Sequence, residues 1–196
     1  MTRSGVALLG LLALSAGAQA ASKPQKEAQW TQEPSSFLGI NFTSNIVNDL
    51  PSCAPGVIGF QQKALCYEKP FQGLYGIEGK PQIGLSYNYS LHAKVRDGGI
   101  EYFYLTANVN DFEKLAQLFI TKYGEPSKRT SETIKTKGGA SFTNERLSWS
   151  GRNTTILVEK YAGDINTSAA SLTNKALEQK SANERNQKLS EGASKL

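Results

Sequence analysis

The amino-acid sequence predicts an α+β domain: an antiparallel β-meander sheet packed by one amphipathic helix, with a short N-terminal helix before it and a polar C-terminal tail after it. Three observations carry this reading. Residues 108–124 place apolar side chains at helical spacing, segments on either side place them at every second position, and glycine-rich turns separate the later segments by only a few residues. Connections that short join antiparallel neighbours, because a parallel crossover needs a dozen residues or more.

The chain opens with Met1-Thr2-Arg3, continues through the apolar run Val6 to Gly17 and reaches Ala18-Gln19-Ala20 before Ala21. A positive start, an apolar stretch and an A-x-A site are the three parts of a cleavable signal peptide, here residues 1–20. The apolar stretch falls short of the roughly 20 residues that a bilayer requires. No cysteine follows it closely, so a lipid anchor is not expected, and no later stretch reads as a membrane span. A periplasmic or secreted protein is the expectation.

The formal charge of the 196-residue chain is +5, and removal of Arg3 with the leader lowers it by one. The basic residues are scattered rather than massed, and no reader motif accompanies them, so nucleic acid is not an expected partner. Two cysteines, Cys53 and Cys66, meet an oxidising compartment after export and allow one disulfide. With His92 the sole histidine and no C-x-x-C, a zinc site has too few ligands. No cofactor or metal is expected.

Residues 21–36 are polar, contain Pro24 and Pro34 and show no periodicity, which predicts a flexible arm; within it Trp30 either folds back onto the domain or anchors a partner. The domain proper runs over 37–173 and divides into halves at 37–107 and 108–173. A short strand at Phe37 to Phe42 precedes a brief helix from Asn45 to about Leu50, capped by Ser44 and stopped by Pro51. Residues 51–70 hold both cysteines, three prolines, Gly56 and Gly59, and read as an irregular loop pinned by the disulfide.

A bent strand is expected over 71–80. Ile83, Leu85, Tyr87, Tyr89 and Leu91 then alternate, predicting a half-buried strand over 83–91, and Asp97-Gly98-Gly99 turns the chain into a second strand from Ile100 to Ala107. The helix follows. Val109, Phe112, Leu115, Ala116, Phe119 and Tyr123 form its apolar stripe, Asp111 and Glu113 sit in its first turn, Gly124 ends it and Pro126 forbids continuation. Strands are expected over 128–136, 140–149 and 153–161, with a fourth over 165–173. Residues 174–196 are rich in Lys, Glu, Gln and Asn and poor in apolar side chains, which predicts a solvated helix or a disordered tail.

Few constellations carry chemistry. A hydrolase triad needs a positioned base, and His92 lies at the end of an alternating strand without a G-x-S-x-G motif. Glu145 and Glu159 lie on adjacent expected strands, where cross-strand pairing with Arg146 or Lys160 competes with a catalytic carboxylate pair. No G-x-G-x-x-G or P-loop lysine motif is present to cradle phosphate. Aromatic residues cluster instead: Tyr87, Tyr89, Tyr102 and Tyr104 mark a candidate binding face, and the strand from Ile100 to Thr106 is apolar or aromatic on both sides. One side packs the helix; the other needs a cover, supplied by the arm, the first helix or a partner.

The stretch Phe37-Leu38-Gly39-Ile40-Asn41-Phe42, then Leu118 to Pro126 with its Lys122-Tyr123-Gly124-Glu125-Pro126 ending, then Leu147-Ser148-Trp149 and Thr155 to Val158, resembles small uncharacterised periplasmic proteins of Gram-negative bacteria. That layout is in turn similar to the small-lipoprotein and β-lactamase-inhibitory-protein type of α+β module. The resemblance covers about two thirds of the chain after the leader, and its motifs are structural rather than catalytic. The acylated cysteine of the lipoprotein members is missing. The expected function is a non-enzymatic, exported envelope protein that binds another envelope protein, with a carboxylate-based periplasmic hydrolase as the alternative.

Overall fold

A computed structural model describes residues 30–71 and 73–196, and of Phe60 the backbone alone. The leader 1–20 and the arm up to residue 29 lie outside the described residues. The α+β expectation is corrected: the protein is mostly β. A two-stranded hairpin, β1 (Ser36–Phe37) and β2 (Ile40–Asn41), accompanies one eight-stranded antiparallel sheet. That sheet comprises β3 (Cys66–Tyr67), β4 (Leu74–Glu78), β5 (Ser90–Arg96), β6 (Gly99–Asn108), β7 (Lys128–Lys135), β8 (Ser141–Ser150), β9 (Thr154–Glu159) and β10 (Thr167–Asn174). Among the described residues three α-helices accompany the sheets: α1 (Ile46–Asp49), α2 (Phe112–Tyr123) and α3 (Lys175–Ala193).

The spatial order of the sheet is β3-β4-β5-β6-β10-β9-β8-β7. Each half of the eight-stranded sheet is four consecutive strands followed by a helix, and the two halves join where β6 meets β10, from Thr167 opposite Asn108 to Thr173 opposite Tyr102. This junction is the physical reason for the correction. Local periodicity shows each meander separately, while the β6–β10 ladder that fuses them is a contact between distant segments.

One face of the sheet is fully covered. Leu91, Ala93, Phe103, Leu105, Leu147, Trp149, Ile156, Val158, Ala170 and Leu172 are all buried there. The β1–β2 hairpin places Phe37 with its ring centroid 5.7 Å from Phe103 and 6.0 Å from Phe119 of α2, and Phe119 stands 6.3 Å from Trp149. Asn45 occupies the position before α1, and its N–H donates to the Asp49 carboxylate in place of the cap expected from Ser44.

The C-terminal carbonyls of α2 would be orphans in a dry core. Both tryptophans satisfy them: the Trp30 indole N–H donates to the Tyr123 carbonyl and that of Trp149 to the Gly124 carbonyl, each at 2.8 Å. Gly124 has φ 79, a left-handed conformation that glycine adopts without a Cβ clash. The arm is fastened again by Glu33, whose carboxylate accepts the backbone N–H groups of Arg152, Asn153 and Thr154.

The strand expected over 83–91 is corrected in its first part. Residues 79–89 form a loop, and β5 starts at Ser90. The N–H groups of Ser86 and Tyr87 donate to the Asp111 carboxylate, both at 3.0 Å, instead of joining a ladder. The alternating Ile83 and Leu85 pack partly buried against the core from this loop. Cys53 and Cys66 form the disulfide, with their Cα atoms 4.8 Å apart. No described helix is long and apolar enough to cross a membrane.

Candidate functional site

The second face of the sheet is built by strict alternation. Side chains of β6 at Phe103 and Leu105 point into the core, so Tyr102, Tyr104 and Thr106 point the other way. The cross-strand register then fixes three rows on that face. The central row runs His92, Tyr104, Ser171, Leu157 and Ser148; one flanking row runs Lys94, Tyr102, Thr173, Thr155 and Ser150; the other runs Ser90, Thr106, Ala169, Glu159 and Arg146. Five strands at about 4.8 Å spacing give each row a reach of about 20 Å.

Most of these side chains are half-buried, shielded by their cross-strand neighbours, and only Ala169 is buried outright. Helices α1 and α2 belong to the covered face, and α3 contacts β6 and β10. Phe112, Leu115, Ala116, Phe119 and Tyr123 commit α2 to the covered face, and Ile46 does the same for α1. Helix α3 is held at the β5–β6 turn, where buried Ser181 donates to Glu101, Arg96 bridges Glu101 at 3.0 Å and Glu184 at 2.7 Å, and Lys180 pairs with Asp97 at 2.6 Å.

The electrostatics of the open face are graded along the rows. Burial, then the charges of nearby carboxylates (Glu101 for Tyr102, Glu159 first for Tyr104), raises both phenol pKa values above their ordinary range. Both hydroxyls are therefore protonated at neutral pH and can donate as well as accept. At one end Arg146 bridges Glu159 at 3.0 Å and Glu132 at 2.7 Å. At the other stand His92 and Lys94. The face therefore combines two large amphipathic rings with threonine and serine hydroxyls able to donate and accept hydrogen bonds.

The four tyrosines marked by the sequence separate in space. Tyr102 and Tyr104 share the open face. Tyr89 is buried on the other side, donating its hydroxyl to the Pro81 carbonyl at 2.6 Å, and Tyr87 is exposed in the loop whose backbone binds Asp111. Glu145 and Glu159 stand on opposite faces: Glu159 pairs with Arg146, whose neighbour Glu145 points to the covered side and binds Lys160 at 3.0 Å. Among the described residues no group of three or more His, Cys, Asp or Glu is placed to hold a metal ion. Sequence reasoning did not bring Ser171, Leu157 and Arg146 to the tyrosines, because only the β6–β10–β9–β8 register does so.

No protein-family model, curated protein or solved structure matches the chain.

Proposed function

We propose that this is an exported, non-enzymatic binding protein whose open sheet face docks another protein of the cell envelope. The observation that carries the reading is the asymmetry of the sheet: one face is packed into the core by α1, α2 and the β1–β2 hairpin, while the other presents the half-buried rings of Tyr102 and Tyr104 on β6. Antiparallel sheets tolerate a wet face, yet such a face is ordinarily polar and not centred on paired aromatic rings. Export is supported by the leader-like pattern of residues 1–20 and by the Cys53–Cys66 disulfide, which suits an oxidising compartment. The resemblance of residues 37–42, 118–126, 147–149 and 155–158 to small periplasmic proteins is a further argument for this reading.

Site-specific photo-crosslinking in the native envelope tests this. A crosslinker at Ser171, the middle of the central row, is expected to give one discrete adduct that disappears when Tyr102 and Tyr104 are both alanine. The same crosslinker at Lys137, exposed in the β7–β8 turn, is expected to give none. Equal adducts from both positions, or none from Ser171, contradict the reading.

A further inference from the structure

The two edges of the eight-stranded sheet differ. At one edge β3 is two residues long, and its Cys66 is tied to Cys53 by the disulfide. At the other, β7 runs eight residues, pairs with β8 without a break in register and is exposed everywhere but at Ile134. We propose that β7 pairs antiparallel with β7 of a second copy of this chain, centred on Thr130, so that Lys128 of each copy stands opposite Glu132 of the other.

The backbone of β7 determines which groups are on offer. In the β8–β9 ladder the Lys160 N–H donates to the Glu145 carbonyl and the Gly151 N–H to the Thr154 carbonyl, so the odd-numbered residues of β8 bond β9. Backbone groups of successive residues point to opposite sides of a strand, so the even-numbered residues of β8 bond β7. The bond from the Thr136 N–H to the Ala140 carbonyl agrees with this. The register then commits Lys128, Thr130, Glu132 and Ile134 to β8 and turns the N–H and C=O groups of Arg129, Ser131, Thr133 and Lys135 outward. Such a row of unpaired groups is a template for another strand.

Charge selects the partner and the register. An edge lysine repels an incoming strand unless an acidic side chain meets it, and a second copy supplies one. With the pair centred on Thr130, Arg129 of one copy exchanges backbone hydrogen bonds with Ser131 of the other. Lys128 and Glu132 then oppose each other at positions without hydrogen bonds, where side chains stand closest. Glu132 holds Arg146 through Oε1 at 2.7 Å, which leaves Oε2 for the lysine. The Lys128 ammonium is exposed and has no partner among the described residues. Other registers that use the same outward groups lack this match. Centring on Arg129 opposes two guanidinium groups, centring on Glu132 opposes two carboxylates, and centring on Ser131 sets Lys128 against Ile134 and Glu132 against Thr130. Thr130 lies opposite Arg146, so pairing continues the Glu159 and Arg146 row of the open face from one copy into the next.

Sedimentation velocity of the purified protein, from micromolar to near-millimolar concentration, tests the pairing. A reversible monomer–dimer equilibrium is expected. Ser131→Pro removes an outward N–H that β8 does not use, so the variant is expected to keep its far-UV dichroism and to dimerise at least about tenfold more weakly. Lys128→Glu and Glu132→Lys, each alone, oppose like charges and are expected to weaken the dimer to a similar degree. Their equimolar mixture is expected to restore it, because each variant supplies the charge that the other lacks. A parent that stays monomeric throughout, a dimer that survives Ser131→Pro, or a mixture that associates no better than its components would overturn the proposal. The residues that pair stop short of the turn carrying Lys137, and β8 and β9 separate β7 from Ser171 on β10, so the crosslinking result is independent of these outcomes.

Discussion

Trp30 donates its indole N–H to the Tyr123 carbonyl at 2.8 Å, across 93 residues of sequence. The same contact sets the two rings edge to face, 6.3 Å apart. It ties the N-terminal arm to the end of α2 and supplies a donor that the helix terminus lacks. Replacing Trp30 by phenylalanine keeps most of the ring packing and deletes the donor. The expected cost is about 1 kcal/mol, seen as a lowering of Tm by roughly 2–4 °C for a chain of this size. An unchanged Tm in a thermal melt of Trp30→Phe contradicts this role.

Asp111 is the acid-sensitive point of the fold. Burial of its carboxyl would raise the pKa, but the backbone N–H groups of Ser86 and Tyr87, the Ser86 hydroxyl and Lys114 outweigh it and hold the pKa below 3.8. A depressed folded-state pKa contributes stability above the unfolded-state value, lost as pH falls through the folded one. Asp111→Asn is therefore expected to be less stable than the parent at pH 7 by about 1–3 kcal/mol. Denaturant titrations should show that gap closing below about pH 4. A gap that stays constant from pH 7 to pH 2 contradicts the assignment.

The disulfide closes a loop of sequence separation 13. Chain entropy assigns a closure of this length about 3 kcal/mol. Within the loop, regular structure is limited to a 3-10 turn at Gly59–Gln61 and the Cys66 end, where β3 meets β4. Chain reversal here also depends on Gly79, where a Cβ would overlap the Ala64 carbonyl. The double variant Cys53→Ser, Cys66→Ser is expected to melt several degrees below the parent under non-reducing conditions. Two titratable thiols in the native protein, or coincident melts, contradict it.

Much of the local structure was legible in the sequence. The apolar stripe from Phe112 to Tyr123 with Gly124 behind it identified α2, and the alternation in Ile100 to Ala107 identified β6, because both signals depend on neighbouring residues alone. The order of the sheet was not legible, since the β6–β10 pairing joins residues from 59 (Asn108 and Thr167) to 71 (Tyr102 and Thr173) positions apart and leaves no periodicity of its own. The alternation from Ile83 to Leu91 misled for a different reason: its first half satisfies its backbone on the Asp111 side chain and its apolar residues by packing from a loop. Helix α3 has almost no apolar stripe and is held by the Arg96, Glu101, Ser181 and Glu184 contacts instead. The candidate site shows the same division. Tyr102 and Tyr104 share a face by strand alternation, which a sequence reveals, but His92, Ser171 and Leu157 join Tyr104 only through the cross-strand register.

The central claim is that the open face binds a protein, and the affinity of Tyr104→Ala for the partner captured at Ser171 tests it most directly. Tyr104 is half-buried in the central row, next to Ser171, and large aromatic rings in such positions concentrate an interface's binding energy. Isothermal titration calorimetry of parent and variant, with matched circular dichroism to show that both are folded, is expected to find binding weakened by about tenfold or more, equivalent to at least about 1.4 kcal/mol. Equal affinity in a folded Tyr104→Ala protein would contradict the account and move the binding surface off the sheet.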